Sequence, residues 1–381
     1  MLPESRFRSE KLAKALVSRI EALAIRLKRK INIMEVCGTH TMAIARYGIR
    51  SLLPKNIHLI SGPGCPVCVT DEGYIDTALE LAKSGKVKIT TFGDMMRVPG
   101  SDGDSLSDYS DRVKVVYSPQ DALSFAKETN EPVVFLAVGF ETTAPTVAAT
   151  VLLARKQNIQ NFSILSAHKL IPPAMEALLS AGKAKIDAFI CPGHVSTIIG
   201  SKPYEPLAAK YKTPCVVTGF EPLDILQAIS MILSQTLSNR SDVEIQYRRV
   251  VNPDGNPKAL EVMYSVFEVE NASWRGIGEI PKTGLRVKDE FKEYDAERKF
   301  SIKVHPKGKS DKRCICGLIM QGLRPPPNCK LFGKECTPTK PVGPCMVSSE
   351  GSCAAFYKYS RDDHSLTHRK YVRRNSTKTR Q

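Results

Sequence analysis

The sequence is short of several signals that would place it quickly. No stretch approaches the roughly 18 uninterrupted apolar residues of a membrane span, so no helical membrane association is expected. Residues 1–30 alternate Leu, Ala and Ile with Lys and Arg in a helical rhythm and lack a signal-peptide core. A cytoplasmic protein is the expectation. Neither G-x-G-x-x-G nor G-x-x-x-x-G-K-[ST] follows any apolar run, which removes support for a dinucleotide or P-loop site. Helix-turn-helix, zinc-finger and RNA-recognition signatures are also missing. The net charge of +16 is scattered, and its densest block is the tail at 368–374. A specific nucleic-acid partner is therefore not expected, although the tail would attract anions weakly.

Cysteine is what the chain does have. Eleven occur in 381 residues, and in a cytosolic chain they are not expected to form a disulfide scaffold, because that compartment keeps thiols reduced. They fall into three groups: Cys37, Cys65 and Cys68; Cys191 and Cys215; and Cys314, Cys316, Cys329, Cys336, Cys345 and Cys353. Cys191 and Cys215 adjoin apolar runs and read as buried thiols acting as small hydrophobes. Cys65 and Cys68 form a C-x-x-C inside Ser61-Gly62-Pro63-Gly64-Cys65-Pro66-Val67-Cys68. Such a pair can close as a disulfide, hold a metal or expose one activated thiol. Its two glycines and two prolines make a stiff loop that fixes where the sulfurs stand.

Short apolar runs at 31–36, 57–60, 87–91, 113–117, 133–138, 162–165, 188–190 and 215–218 alternate with helix-like stretches. Continuous apolar strands between helices argue for parallel sheets covered on both faces. The expected fold is α/β, with two similar parallel-sheet domains flanking a cleft and a loop-rich or helical, cysteine-bearing domain at the C-terminus. The expected boundaries are an amphipathic helix packing on the body over 1–30, domain I over 31–130 and domain II over 131–238. A C-terminal domain at 239–360 and a basic tail at 361–381 follow. In the C-terminal part, the sequence from 248 reads as a turn and then a helix to about 270, and 289–299 as a charged helix. Polar and sulfur-bearing loops follow nearly every strand, where open α/β sheets bind ligands. They bring Cys37, His40, Asp94, Glu141, His168 and His194 forward as cleft candidates. For the last four, a structural hydrogen bond explains the residue equally well.

Beyond 303 the chain is rich in Pro, Gly and Cys and poor in apolar runs. A segment of that kind does not bury enough apolar surface to order itself and needs a staple. Zinc usually takes paired C-x₂₋₄-C knuckles, and none occurs. Four thiolates spread along a winding loop fit an iron–sulfur cluster better, without excluding zinc.

Several long motifs carry a resemblance to a known family. They are Glu35-Val36-Cys37-Gly38-Thr39-His40-Thr41-Met42, the stretches 61–68, 91–101, 139–145, 191–196 and 219–223, and the C-terminal cysteines. In order and content the sequence resembles the HypD family, iron–sulfur assembly factors that mature NiFe hydrogenases. The likeness runs to about Tyr359. The family's cluster motif, C-x₁₄-C-x₆-C-x₁₆-C, is met in full by Cys314, Cys329, Cys336 and Cys353. The resemblance thus implies a 4Fe–4S cluster on those four residues and leaves Cys316 and Cys345 packed nearby as non-ligands.

It further implies a scaffold on which an Fe(CN)₂CO unit is assembled. A HypC-type chaperone shares the transient mononuclear iron, and a HypE-type partner delivers cyanide from a protein thiocyanate. Releasing cyanide to leave a thiol consumes two electrons, which a Cys65/Cys68 dithiol supplies on closing; the cluster then re-reduces the pair one electron at a time. Cys37 is assigned as the ligand holding the iron, its thiolate favoured by a helix N-terminus. His40 is assigned to hydrogen-bond that thiolate or shuttle a proton. Cys65 and Cys68 also ligate iron during assembly in this scheme. The alternative is a cluster-dependent protein disulfide reductase using the same dithiol, for which Cys37 is unnecessary.

Overall fold

The computed structural model of the chain describes residues 7–302 and 311–359; the expected tail at 361–381 lies outside them. All eight apolar runs are strands. They are β1 (Ile31–Glu35), β2 (Ile57–Ser61), β3 (Lys88–Thr91), β4 (Val113–Val115), β5 (Val133–Ala137), β6 (Phe162–Ser166), β7 (Ala188–Pro192) and β8 (Cys215–Thr218). Every residue of β5, β7 and β8 is buried, as expected of parallel strands covered on both faces.

The strands form two parallel sheets. With a further strand β9 (Val243–Ile245), the first has the order β2-β1-β7-β8-β9; the second has the order β4-β3-β5-β6. A passage between domains near residue 130 is not what the chain makes. Lys88, Ile89 and Thr90 of β3 pair with Val133, Val134 and Phe135 of β5, so 130 lies inside the second sheet. The chain builds two strands of the first sheet, crosses to complete the second, and returns with β7. Apolar patterning marks strands but not neighbours, and a helical crossover such as Glu72–Ser84 can deliver the chain to either sheet.

The expected N-terminal helix runs from Glu10 to Leu27 (α1), capped by the Ser9 hydroxyl, which accepts from the Leu12 amide. Its buried residues Ile20 and Ala24 join the core of the first sheet together with Ile225, Ile229 and Leu233 of the helix Pro222–Leu237. The outer core of the second sheet takes in Val147 and Val151, and also Met263, Phe267, Leu285 and Phe291 from beyond residue 239.

Those last residues correct the reading of 248–270. The helix is Pro257–Val266, and the chain continues as an antiparallel hairpin, β10 (Phe267–Trp274) and β11 (Gly278–Val287), bulged between Glu270 and Ala272. Gly276 and Gly278, with φ of +69° and +104°, make its turn. The charged stretch is two short pieces, a 3-10 helix Asp289–Tyr294 and a helix Ala296–Lys299. Residues 257–299 therefore cover the second sheet, and their hairpin turn touches the cysteine-rich segment, where Gln321 Nε2 donates to the Gly276 carbonyl at 3.0 Å. A third core cluster fills the seam: Met34, Val36, Cys65, Cys68, Leu136, Phe189, Trp274, Cys316, Cys329, Cys336, Cys345 and Cys353 all belong to it. Among the described residues no helix is long and apolar enough to cross a membrane.

Candidate functional site

Cys37 and the C-x-x-C sit on the loops that leave two adjacent strands, β1 and β2. Parallel pairing carries the strands out side by side, and the loops stay in contact at backbone level. The Gly62 amide donates to the Glu35 carbonyl at 2.8 Å, and the Gly38 amide to the Gly64 carbonyl at 2.9 Å. A side chain at Gly64 would collide with the backbone of Val36 and Cys37. Cys65 then caps the one-turn helix Pro66–Val69, its Sγ accepting from the Cys68 amide at 3.3 Å. Cys65 and Cys68 are joined as a disulfide with Cα atoms 5.3 Å apart.

Cys37 is the N-cap of α2 (Gly38–Arg46). The amides of Thr39 and His40 address its sulfur, but burial and the Glu350 carboxylate outweigh them and push the thiol up to about 12. The expected thiolate is thus not met: a short buried helix terminus offers less than desolvation removes. The His40 ring is likewise not where the sequence suggested. Its Nε2 lies 3.0 Å from the Gly219 carbonyl, and the ring stacks on Phe220, which also stacks with His194 and meets Tyr247 edge-on. Burial holds this imidazole down at about 4, so it is neutral. Of His40, the backbone amide and not the ring serves Cys37.

The remaining candidates separate into two sets. Asp94 lines a cleft with Pro66, Val67, Phe140, Thr142 and Glu350, where it accepts from the Ser348 hydroxyl at 2.6 Å. Glu141 and His168 are structural: Glu141 accepts from the Ile171 amide at 2.9 Å, and His168 Nδ1 lies 3.3 Å from the Ser166 hydroxyl. Glu35 and Glu350 were missed. Glu35 is fully buried and takes the Thr41 hydroxyl at 2.9 Å; Glu350 takes that of Thr39 at 2.6 Å. An acid inside an otherwise apolar strand was the available signal for Glu35. Nothing in the local sequence marked Glu350.

Burial pushes both Glu35 and Glu141 up to about 7. Each unfolded carboxyl ionises near 4.5, so the unfolded chain releases the proton first, and stability falls as pH rises from about 4.5 to about 7. Glu141 accounts for a loss of about 3 kcal/mol over that window. Glu141→Gln keeps an oxygen for the Ile171 amide and is expected to remove that part of the slope. Urea denaturation at pH 5 and pH 8 checks this.

The C-terminal cysteines converge. A small cavity is lined by Cys314, Cys316, Cys329, Cys336 and Cys353, closed by Ile319, Leu331, Phe332, Gly343 and Met346. A Cβ on Gly343 would stand 2.8 Å from Cys314 Sγ and 2.9 Å from Cys316 Sγ. The Val342 amide donates to Cys336 Sγ at 3.3 Å. Among the described residues no three histidine, cysteine or carboxylate side chains gather as ligands of one ion. A cubane cluster places one thiolate on each of four irons, so its ligands stand apart around a cavity. Sulfur and hydrocarbon walls with an amide directed at a sulfur fit that group.

The segment that carries this cavity abuts both halves of the site. The helix Ser352–Tyr359 packs on α2, and the turn Pro344–Met346 packs on the helix Pro66–Val69. A Cβ at Gly38 would overlap Glu350. The structure therefore brings Cys37, the Cys65–Cys68 pair and the cysteine cavity into one contiguous region.

The family described as "HypD: Hydrogenase formation hypA family" matches residues 11–360. A hydrogenase expression/formation protein HupD from Azotobacter chroococcum mcd 1 is 46% identical over 365 residues, covering 93% of this chain and 96% of that protein. The hydrogenase maturation factor HypD of Azotobacter vinelandii shows the same identity over the same length and the same coverage of each chain. That of Escherichia coli (strain K12) is 43% identical over 356 residues, covering 92% of this chain and 95% of its own.

Proposed function

The chain belongs to the HypD family of hydrogenase maturation factors, and from that premise we propose that it is the scaffold on which the Fe(CN)₂CO unit of NiFe hydrogenase is assembled. A HypC-type chaperone shares the iron, which is substrate here, and a HypE-type partner brings cyanide as a protein thiocyanate. The observation that carries the reading is the backbone contact between the Cys37 loop and the C-x-x-C loop. A simple disulfide reductase has no need of a third cysteine held there.

Cys37 is the protein's ligand to the incoming iron. Its thiol is neutral in the free protein, so iron must displace the proton. Glu350, close enough to raise that thiol, is placed to accept it. Cys65 and Cys68 work as a dithiol. R–S–CN plus the dithiol gives R–SH, the Cys65–Cys68 disulfide and HCN; two sulfurs lose one electron each, and the S–CN bond takes both. The stiff loop and the hairpin hold that pair in place: the Arg275 amide donates to the Val69 carbonyl at 3.0 Å, and Arg275 Nε meets Glu72 at 2.8 Å. Cys314, Cys329, Cys336 and Cys353 would hold a 4Fe–4S cluster, which when bound supplies electrons singly. The reaction needs no membrane and no nucleic acid, and its place is the cytoplasm.

Cys37→Ala, purified anaerobically with the HypC-type partner, is expected to lose the non-cluster iron and its cyanide and carbonyl infrared bands while keeping cluster iron and sulfide. Retention of those bands would refute Cys37 as the ligand.

A further inference from the structure

A buried arginine lies between the C-x-x-C helix and the cysteine cavity. Arg275 is 6% exposed and sits in the turn between β10 and β11. On one side it is tied to the C-x-x-C helix: its amide donates to the Val69 carbonyl, and Thr70 pairs with Trp274. Its Nε donates at 2.8 Å to Glu72, in the first turn of the helix Glu72–Ser84. On the other side the turn meets the cysteine-rich segment. A Cβ on Gly276 would stand 2.4 Å from Gly317 Cα, and Gly317 directly follows Cys316 of the cavity wall.

Glu72 does not satisfy the whole guanidinium. Nη1 is buried and has no hydrogen-bond partner among the described residues, a costly state for a charged donor. No charged side chain lines the cavity itself, whose walls are sulfur and hydrocarbon. In such surroundings a charge just behind the wall acts strongly. Cys314 feels it: the Cys316 thiol and burial push the Cys314 thiol up, while the Cys316 amide and Arg275 pull it down. Arg313, next to Cys314 in sequence, contributes less. Its side chain is 56% exposed and paired with both Asp311 and Glu335, so water and two carboxylates offset its charge.

We infer that Arg275 is a positioning residue for electron transfer, whose charge raises the reduction potential of the cluster held by Cys314, Cys329, Cys336 and Cys353. The inference rests on the cluster assigned to those residues above. An accepted electron makes the cluster and its thiolates more negative, so a fixed cation nearby favours the reduced form. Glu72 offsets part of that cation, but at Cys314 the arginine's charge is the one felt. The bond from the Arg275 amide to Val69 fixes this charge with respect to the dithiol as well.

The test is an anaerobic redox titration of the full chain, with the reduced cluster followed by electron paramagnetic resonance and iron and sulfide counted beforehand. Arg275→Gln is expected to lower the equilibrium constant for reduction about tenfold, a fall of about 59 mV for one electron. Glu72→Gln breaks the same ion pair but removes the opposite charge, so its potential is expected at or above that of wild type. A merely structural role would move both variants the same way. Arg275→Lys keeps the charge and should fall between Arg275→Gln and wild type. Should Arg275→Gln lose its iron, the double variant Arg275→Gln with Glu72→Gln leaves neither charge unpaired and replaces it, again with a lowered potential expected. An unchanged potential in a variant with wild-type iron overturns the inference and leaves the cluster standing. An equal downward shift in Glu72→Gln overturns it as well. Wild-type protein without iron and sulfide would instead overturn the cluster, and the inference with it.

Discussion

Cys329→Ala is expected to remove the cluster and loosen the whole segment from 314 to 359 in a single step. That segment holds only short pieces of regular structure: Cys316–Met320, Pro326–Asn328, Pro344–Met346 and Ser352–Tyr359. Its buried residues converge on the cysteine cavity rather than on a sheet. Without a group bridging the sulfurs, the ordering entropy of such a chain is not offset. Loss of a metal staple is among the few single changes that exceed about 4 kcal/mol. The damage should spread, because the same segment packs on α2 and on the helix of the C-x-x-C. Iron and acid-labile sulfide should fall to background, and thermal unfolding should shift far downward. Cys191→Ala is the comparison. Its thiol is buried in β7 beside Cys215, away from the cavity, and iron content should not change.

Gly64→Ala is expected to separate the two halves of the site while leaving most of the fold standing. The added methyl would meet the carbonyl carbon of Val36 and the N and Cα of Cys37, all backbone. Backbone cannot rotate aside, so the two loops must part. Overpacking of this kind costs about 1–3 kcal/mol, and a displacement of about 1 Å at a reacting centre can lower a rate a hundredfold. Hydrogenase maturation in cells relying on the variant should therefore drop far more than protein abundance. Gly93→Ala is its control. It also sits on a loop after a strand, but its Cβ would find only Val115 Cγ1 at 3.8 Å, and both readouts should stay near wild type.

How much of this was legible in the sequence differs by element. The eight strands were, because buried parallel strands read as unbroken apolar runs. The sheet order was not. Nothing in the runs at 57–60 and 87–91 says that the chain changes sheets between them, which is why a boundary at 130 looked reasonable. The hairpin at 267–287 was hidden by an edge-like, charge-rich composition: Glu268, Glu270, Glu279 and Lys282 interrupt the alternation. At the site, motif spacing and family resemblance selected the cysteines, and the structure brings them into one region. His40 was placed correctly on α2 but given the wrong partner, because its ring follows the Phe220 stack rather than the sulfur. Glu350 was invisible because its contact with Thr39 spans 311 positions of sequence.

The central claim is that Cys65 and Cys68 provide the electrons that free cyanide for the iron held at Cys37. Its most direct measurement is a single turnover without external reductant. Protein with the pair reduced, carrying iron and the HypC-type partner, is mixed anaerobically with the thiocyanate-bearing donor. Thiols are trapped by alkylation and located by mass spectrometry while cyanide on iron is followed in the infrared. One Cys65–Cys68 disulfide should appear for each cyanide that reaches iron. Cyanide bands growing in while both thiols remain alkylatable would contradict the account.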